Sequence, residues 1–285
     1  MEKDNRKKGV NVGLRRAVAY LVLILITLLC LIWFYVLLIN STRSNSELIM
    51  GFTPFPSKYL VTNWVNVMHG SLPIVSGMIN SAIVAMCNAV LCTYFSTMTA
   101  YAVHSYDFKG KKPIAAFILA VMMIPTQVTT LGFLQLIGKI GLEDKLLALI
   151  LPSIAAPITY FYMKQYMESN LPSSLIEAAR IDGSGEFKTF NTICIPLMKP
   201  AIAVQAIFTF VSSWNNYFTP ALVIHDDAKK TLPILIAQLR GADFLKFDMG
   251  QVYVTIAFSI FPVIIVYLFL SKYIVGGVTA GGVKG

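Results

Sequence analysis

Charge is what this sequence has least of. Only 13% of its 285 residues are Asp, Glu, Lys or Arg, where a soluble domain carries about 25%. A chain so poor in charge does not cover itself with a water-facing surface, so a soluble globular domain is excluded, and length does not count domains here. Cysteine is scarce too. Cys30, Cys87, Cys92 and Cys194 form no CxxC pair, and three stand in apolar runs. They read as small apolar fillers, not as a disulfide framework or a metal site. Acidic residues are outnumbered 14 to 23, for a net charge of +9. In so apolar a chain that excess belongs to cytoplasmic loops and not to a nucleic-acid surface. Also missing are G-x-x-x-x-G-K-[ST], HExxH, a nucleophile elbow and any cluster of carboxylates. The chain has no phosphate-binding loop of its own, no hydrolytic centre and no expected cofactor.

Apolar residues fill the space, at 56% of the chain. Six runs, near 17–39, 79–102, 113–135, 146–163, 201–223 and 252–271, contain no Asp, Glu, Lys, Arg or His. About 20 apolar residues cross the hydrocarbon of a bilayer as a helix. The expected fold is therefore an all-α polytopic membrane protein with six spans, forming a single transmembrane domain over 1–285. The basic stretch "MEKDNRKKGVNVGLRR" resembles the start of a signal peptide. The run after it is too long for an h-region, however, and no small-residue cleavage site follows "FYVLLIN", so it is expected as a retained span. With the N-terminus inside, 15 Lys and Arg fall on the inner side and 8 on the outer. The bias puts both termini in the cytoplasm. Pro125, Pro152, Pro157, Pro220 and Pro262 lie in spans, where each removes a backbone donor and kinks its helix.

One polar segment stands out between the fourth and fifth runs: "IEAARIDGSGEFKTFNTICIPLMKP", Ile176 to Pro200. Ser174 and Glu177 have the spacing of a capping box. A short helix should follow and end at Gly183, which allows a left-handed turn. Ser184 then caps a second helix, with Phe187, Phe190 and Cys194 on one apolar face. Pro196 and Pro200 should end that helix ahead of the fifth span. A helix–turn–helix knob with small residues at its turn suits close docking of another surface. It also suits an ordinary well-capped loop.

The segment resembles the EAA motif of ABC importer permeases: Glu-Ala-Ala, then Asp-Gly, then an apolar stretch ending in proline. The tail "VGGVTAGGVKG" is similar to the end of the smaller permease of the maltose-type, carbohydrate-uptake group. Ser184 departs from the family's usual alanine but remains small. The resemblance covers essentially the whole chain. It implies that 174–196 is a cytoplasmic coupling helix pair that inserts into a partner ATPase, with Glu177, Ala178, Ala179, Asp182 and Gly183 as the matching positions. It implies that the tail, Gly281, Gly282, Val283, Lys284 and Gly285, reaches between two ATPase subunits. The expected partners are a second permease, a dimer of cytoplasmic ATPase subunits that binds the ATP, and an extracellular solute-binding protein. The expected location is a bacterial plasma membrane.

On the fifth span Gln205, Thr209, Ser212 and Asn216 recur at spacings of 4, 3 and 4, which puts them on one helix face. Trp214, Asn215 and Tyr217 lie beside them, and Asn80, Asn88, Thr126 and Gln127 are candidates for the same space. Polar groups inside a membrane line a wet path or pair with each other between helices. Amides, hydroxyls and aromatic faces also suit a sugar, so both readings stand. The expected function is to carry a di- or oligosaccharide inward, without catalysis by this chain. The alternative is a secondary sugar transporter driven by an ion gradient, which usually needs an ionisable residue inside a span.

Overall fold

The computed structural model describes residues 4–241 and 248–281, with no strand among them. The helices are α1 (Asp4–Ser41), α2 (Asn45–Ile49), α3 (Leu60–Met68), α4 (Ile74–Ser105), α5 (Lys111–Met122), α6 (Thr126–Lys139) and α7 (Leu147–Ile150). After them come α8 (Pro157–Asn170), α9 (Ser173–Ile181), α10 (Glu186–Thr189), α11 (Ile195–Trp214), α12 (Phe218–Val223), α13 (Leu232–Arg240) and α14 (Met249–Gly281). Among the described residues five stretches are long and apolar enough to cross a membrane: Gly13–Ser41, Ile74–Ser105, Leu147–Asn170, Glu186–Trp214 and Met249–Ile274.

Three expected spans differ from this, the first being 146–163, where α7 and the 3-10 turn Leu151–Ile154 are parted from α8 at residues 155–156, just ahead of Pro157. Residues 113–135 are not one helix but two, α5 and α6, parted at Met123–Pro125. Pro125 stands in extended backbone at the head of α6. It has no N–H for a continuing helix and drives the residue before it away from helical backbone. Residues 201–223 do not form one helix either. The helix begins fifteen residues earlier, at Glu186, and ends at Trp214, with α12 separate beyond it. Pro196 falls in the first turn of α11 and Pro200 inside it, and neither stops the helix. Directly upstream, Phe190–Cys194 forms a π turn in which the Ile195 N–H reaches back to the Phe190 carbonyl. That wider turn shifts the hydrogen-bond register just before Pro196, so the missing donors fall in a ladder already offset.

The chain divides into two compact units, Met1–His69 with Leu239–Phe258, and Gly70–Gln238 with Ser259–Gly285. In the first, Ser44 and Glu47 form a true capping box at α2. Asn63 donates through Nδ2 to the carbonyls of Ser41 (3.0 Å) and Arg43 (2.9 Å). Arg43 is buried and donates to Asn40 Oδ1 and the Glu47 carbonyl. The Trp64 and Phe258 rings lie 3.9 Å apart. Gly250 backs onto this corner: a Cβ there would sit 2.8 Å from the Asn63 amide and 2.9 Å from the Arg43 carbonyl oxygen.

In the second unit α4 packs along α11 and α8. Its stripe of small residues, among them Ser81, Ala85, Ala89, Cys92, Ser96 and Ala100, is buried, which lets the backbones approach closely. One apolar core joins Tyr101 and Val103 of α4, Tyr160, Met163 and Met167 of α8, Ile176 of α9, and Phe190, Cys194 and Met198 of the Glu186–Trp214 stretch. A second core near the other end of α4 joins Val84, Ile137, Ala148, Leu149, Val223 and Ile224.

Candidate functional site

The knob takes its shape from Gly183. The Asp182 N–H bonds to the Ala178 carbonyl, Gly183 N–H to Arg180 and Ser184 N–H to Ala179. The last two are the paired bonds of a Schellman turn, which needs a left-handed residue at Gly183; its φ is +76°. The turn expected at Gly183 is therefore present. The expected caps are not. α9 opens at Pro172 with no side-chain cap, and α10 opens at Gly185 without one. Proline can start a helix without needing a cap on its own N–H, and it places Ser174 inside the helix instead of at its edge. Glu177, freed from capping, is exposed, as are Ala178, Asp182 and Gly183, whereas Ala179 is buried. Phe190 and Cys194 are buried but Phe187 is 70% exposed and Ile181 86%. The expected single apolar face is thus split: one part enters the core and the other lies open beside the turn.

A polar clamp that the sequence reading missed ties this turn to α4. Arg180 Nε donates to Glu186 Oε1 at 2.7 Å, bridging the two sides of the turn. Tyr101 Oη donates to Glu186 Oε2 at 3.1 Å, and Arg180 Nη2 to the Ser105 carbonyl at 3.3 Å. The Arg180 guanidinium also lies 5.1 Å from the centre of the Tyr106 ring. The bond to the Glu186 carboxylate raises the Arg180 pKa. Nearby, His104 Nε2 is 3.0 Å from the Leu171 carbonyl oxygen. Opposite charges three residues on either side of Gly183 were a legible signal. Tyr101 and Ser105, some eighty residues away in sequence, were not. Of the tail, Gly281 ends α14, and Gly282, Val283, Lys284 and Gly285 lie outside the described residues.

Along α11 the predicted polar line comes together. Gln205, Thr209, Ser212 and Asn216 all line one open groove of about 380 Å³, with Asn88, Cys92, Thr159 and Phe208. Gln205 is buried and accepts from Thr159 Oγ1 at 3.5 Å. The Cys92 thiol donates to Thr159 Oγ1 at 3.2 Å and receives the Thr209 hydroxyl at 3.5 Å. Asn88 Nδ2 donates to Ser213 Oγ at 2.8 Å. Asn216 lies past the helix end, and its Oδ1 accepts the Thr219 N–H, so it reaches the groove from a turn. Asn80 goes elsewhere, donating to the carbonyls of Ala228 (2.9 Å) and Lys230 (3.0 Å). Trp214 is buried and stacks on Phe210. The side chains of Thr126 and Gln127 lie outside the described residues. Among the described residues, none that lines the groove carries a formal charge, and no group of His, Cys, Asp and Glu could hold a metal ion.

Residues 93–279 match the family model described as binding-protein-dependent transport system inner membrane component. The chain is 35% identical over 267 residues to the arabinooligosaccharides transport system permease protein AraQ of Bacillus subtilis, covering 92% of this chain and 93% of that one. It is 32% identical over 276 residues to the trehalose/maltose transport system permease protein MalG of Thermococcus litoralis, covering 95% and 98%. In fold it is similar to a chain of the crystal structure of a bacterial ABC transporter involved in the import of the acidic polysaccharide alginate, with a TM-score of 0.77 at 23% identity over 96% of this chain and 98% of that one. A family match across most of the chain and relatives of this identity agree on one assignment: the chain belongs to the binding-protein-dependent transport system inner membrane components, the permeases of ABC importers.

Proposed function

We propose that this chain is one transmembrane subunit of an importer that carries a di- or oligosaccharide inward at the expense of ATP hydrolysed on a partner. The observation that carries this reading is that Glu186–Trp214 joins the knob to the groove. One end of that stretch holds Glu186 of the clamp, and the groove lies toward the other. The turn, with Glu177, Ala178, Asp182 and Gly183 exposed and Ala179 buried beneath them, docks on a cytoplasmic ATPase dimer, and Ile181 and Phe187 supply apolar contact beside it. The tail from Gly281 to Gly285 reaches the same ATPase. A second permease completes the pathway, and a solute-binding protein delivers sugar from outside. The chain sits in a bacterial plasma membrane as one transmembrane domain with both termini cytoplasmic, and α5 with α6 makes the sixth crossing. It binds no cofactor, and ATP stays on the partner.

Permease relatives named for arabinooligosaccharides and for trehalose and maltose support the sugar assignment. The ion-gradient alternative needs a titratable coupling group, and the described groove lining offers no carboxylate, imidazole, amine or guanidinium. The test is purification with the partner subunits and reconstitution into liposomes with the solute-binding protein. ATP-dependent accumulation of a labelled neutral oligosaccharide is expected. A complex that hydrolyses ATP in response to loaded solute-binding protein yet accumulates no sugar from a broad panel would refute the assignment.

A further inference from the structure

Beside the groove lies a second, more enclosed cavity of about 350 Å³, within the range of small-molecule sites. The two share Asn88, Ser213 and Asn216 as their common wall. Two polar atoms on the cavity lining are buried with no hydrogen-bond partner: Asn88 Oδ1 and Thr231 Oγ1. Thr231 is 3% exposed. Buried polar atoms of this kind are rare in folded proteins and are costly unless something completes them. The Asn88 amide is already oriented, since its Nδ2 donates to Ser213 Oγ, and this leaves its carbonyl oxygen as a fixed acceptor. Phe133 and Phe218 contribute apolar ring surface to the same lining, and among the described residues no charged one does.

We infer that this cavity is a second sugar subsite, built for one uncharged, hydroxyl-bearing ring, so that the chain grips its substrate at two adjoining positions and selects for more than one ring. The inference rests on the import reading above. A sugar hydroxyl donates to Asn88 Oδ1, another pairs with the Thr231 hydroxyl, and the C–H face of the ring packs on Phe133 or Phe218. A uronate ring is rejected there, because its carboxylate would be buried with no cation to meet it. The alternative, a packing void that holds water, satisfies the same two atoms without any preference among sugars.

The experiment uses the complete reconstituted transporter with saturating solute-binding protein. Uptake rates are compared for matched pairs of a monosaccharide and a disaccharide, arabinose with arabinobiose and glucose with maltose. Thr231→Val keeps the side-chain shape and removes the hydroxyl, and Phe133→Ala removes a ring. Each is expected to lower the disaccharide-to-monosaccharide ratio by about tenfold, the weight of one good buried hydrogen bond or ring contact. Thr231→Ser, which keeps the hydroxyl, is expected to hold the wild-type ratio. An unchanged ratio in both Thr231→Val and Phe133→Ala, with uptake intact, identifies a void and overturns the subsite while import stands. Equal loss for both lengths also overturns it, since a folding defect does not count rings. A wild-type complex that imports neither pair overturns the subsite for these sugars, and the broad panel then decides the import reading separately.

Discussion

Gly183 carries the turn of the knob at φ +76°, a conformation that costs a residue with a Cβ about 1–2 kcal/mol. Nothing lies within 4 Å of where a Cβ would point, so the penalty of Gly183→Val is conformational and not steric. The turn should reshape while the spans still insert. Substrate-stimulated ATP hydrolysis by the purified complex is expected to fall to the unstimulated level. Stimulation at the wild-type level would count against docking through this turn. A second residue, Asp144, does comparable work elsewhere in the same unit. It stands at φ +55°, accepts the His225 and Asp226 N–H groups at 2.9 and 3.0 Å, and pairs with Lys229 at 2.9 Å. The Asp226 N–H and then the Lys229 ammonium hold its carboxyl well below the ordinary carboxylate range. Asp226 is lowered too, by the Ala228 N–H first. A depressed folded pKa stabilises above the unfolded value of 3.8 and loses that contribution as pH falls through the folded one. Amide-exchange protection at His225 and Asp226, corrected for intrinsic rates, should therefore be the same at about pH 7 and about pH 5. Asp144→Ala should abolish it at both. Loss of protection in the wild type between those two values would contradict the assignment.

At the scale of the element, α11 carries the polar line, and exposure along it is graded. Ser212 is exposed, Thr209 and Asn216 half-buried, and Gln205 buried. Cysteines at these four positions, in a background without the native cysteines, should react with a water-soluble thiol reagent in that order, Ser212 fastest. The rates should shift when the assembled complex is trapped with non-hydrolysed nucleotide, as alternating access requires. Cysteines at Ile207 and Val211 serve as controls off the line. Uniform protection at all six sites would show a packed interface instead of a pathway. This line was legible because its spacing needs only helical periodicity. Only Asn216 escaped that logic, reaching the groove from beyond the helix end. The breaks were less legible. Pro125 divides a run, whereas Pro196, Pro200 and Pro262 stay within helices. A proline's effect depends on whether neighbouring backbone can take up the lost bond, and that is decided by tertiary context. The caps failed for a related reason. The Ser174 and Glu177 spacing competed with Pro172 for the start of α9, and Pro172 prevailed, whereas Ser44 and Glu47 had no such rival.

For the molecule as a whole, the scarcity of charge was informative without any structure. It identified a membrane protein and left the few charged pairs for special positions. Arg180 with Glu186 is one such pair, and Lys229 with Asp144 another. What sequence could not give was assembly across distance: Tyr101 meeting Glu186, or Asn80 holding the backbone of Ala228 and Lys230. The purified chain alone in liposomes should neither bind ATP nor accumulate sugar under a proton or sodium gradient. Gradient-driven accumulation by the isolated chain would revive the secondary-transporter reading. The π turn at Phe190–Cys194 bears on how such a molecule works. Because the hydrogen-bond ladder is offset there and not interrupted, Glu186 to Trp214 is one continuous helical stretch of about 40 Å at 1.5 Å per residue. Such a stretch pivoted near Trp214 converts a tilt of about 5° into roughly 4 Å of travel at the knob. On the importer reading proposed above it also works in reverse, as a lever whose long arm ends at the knob: a docked partner that moves the turn by several ångströms turns the groove wall by only a few degrees, with correspondingly greater force.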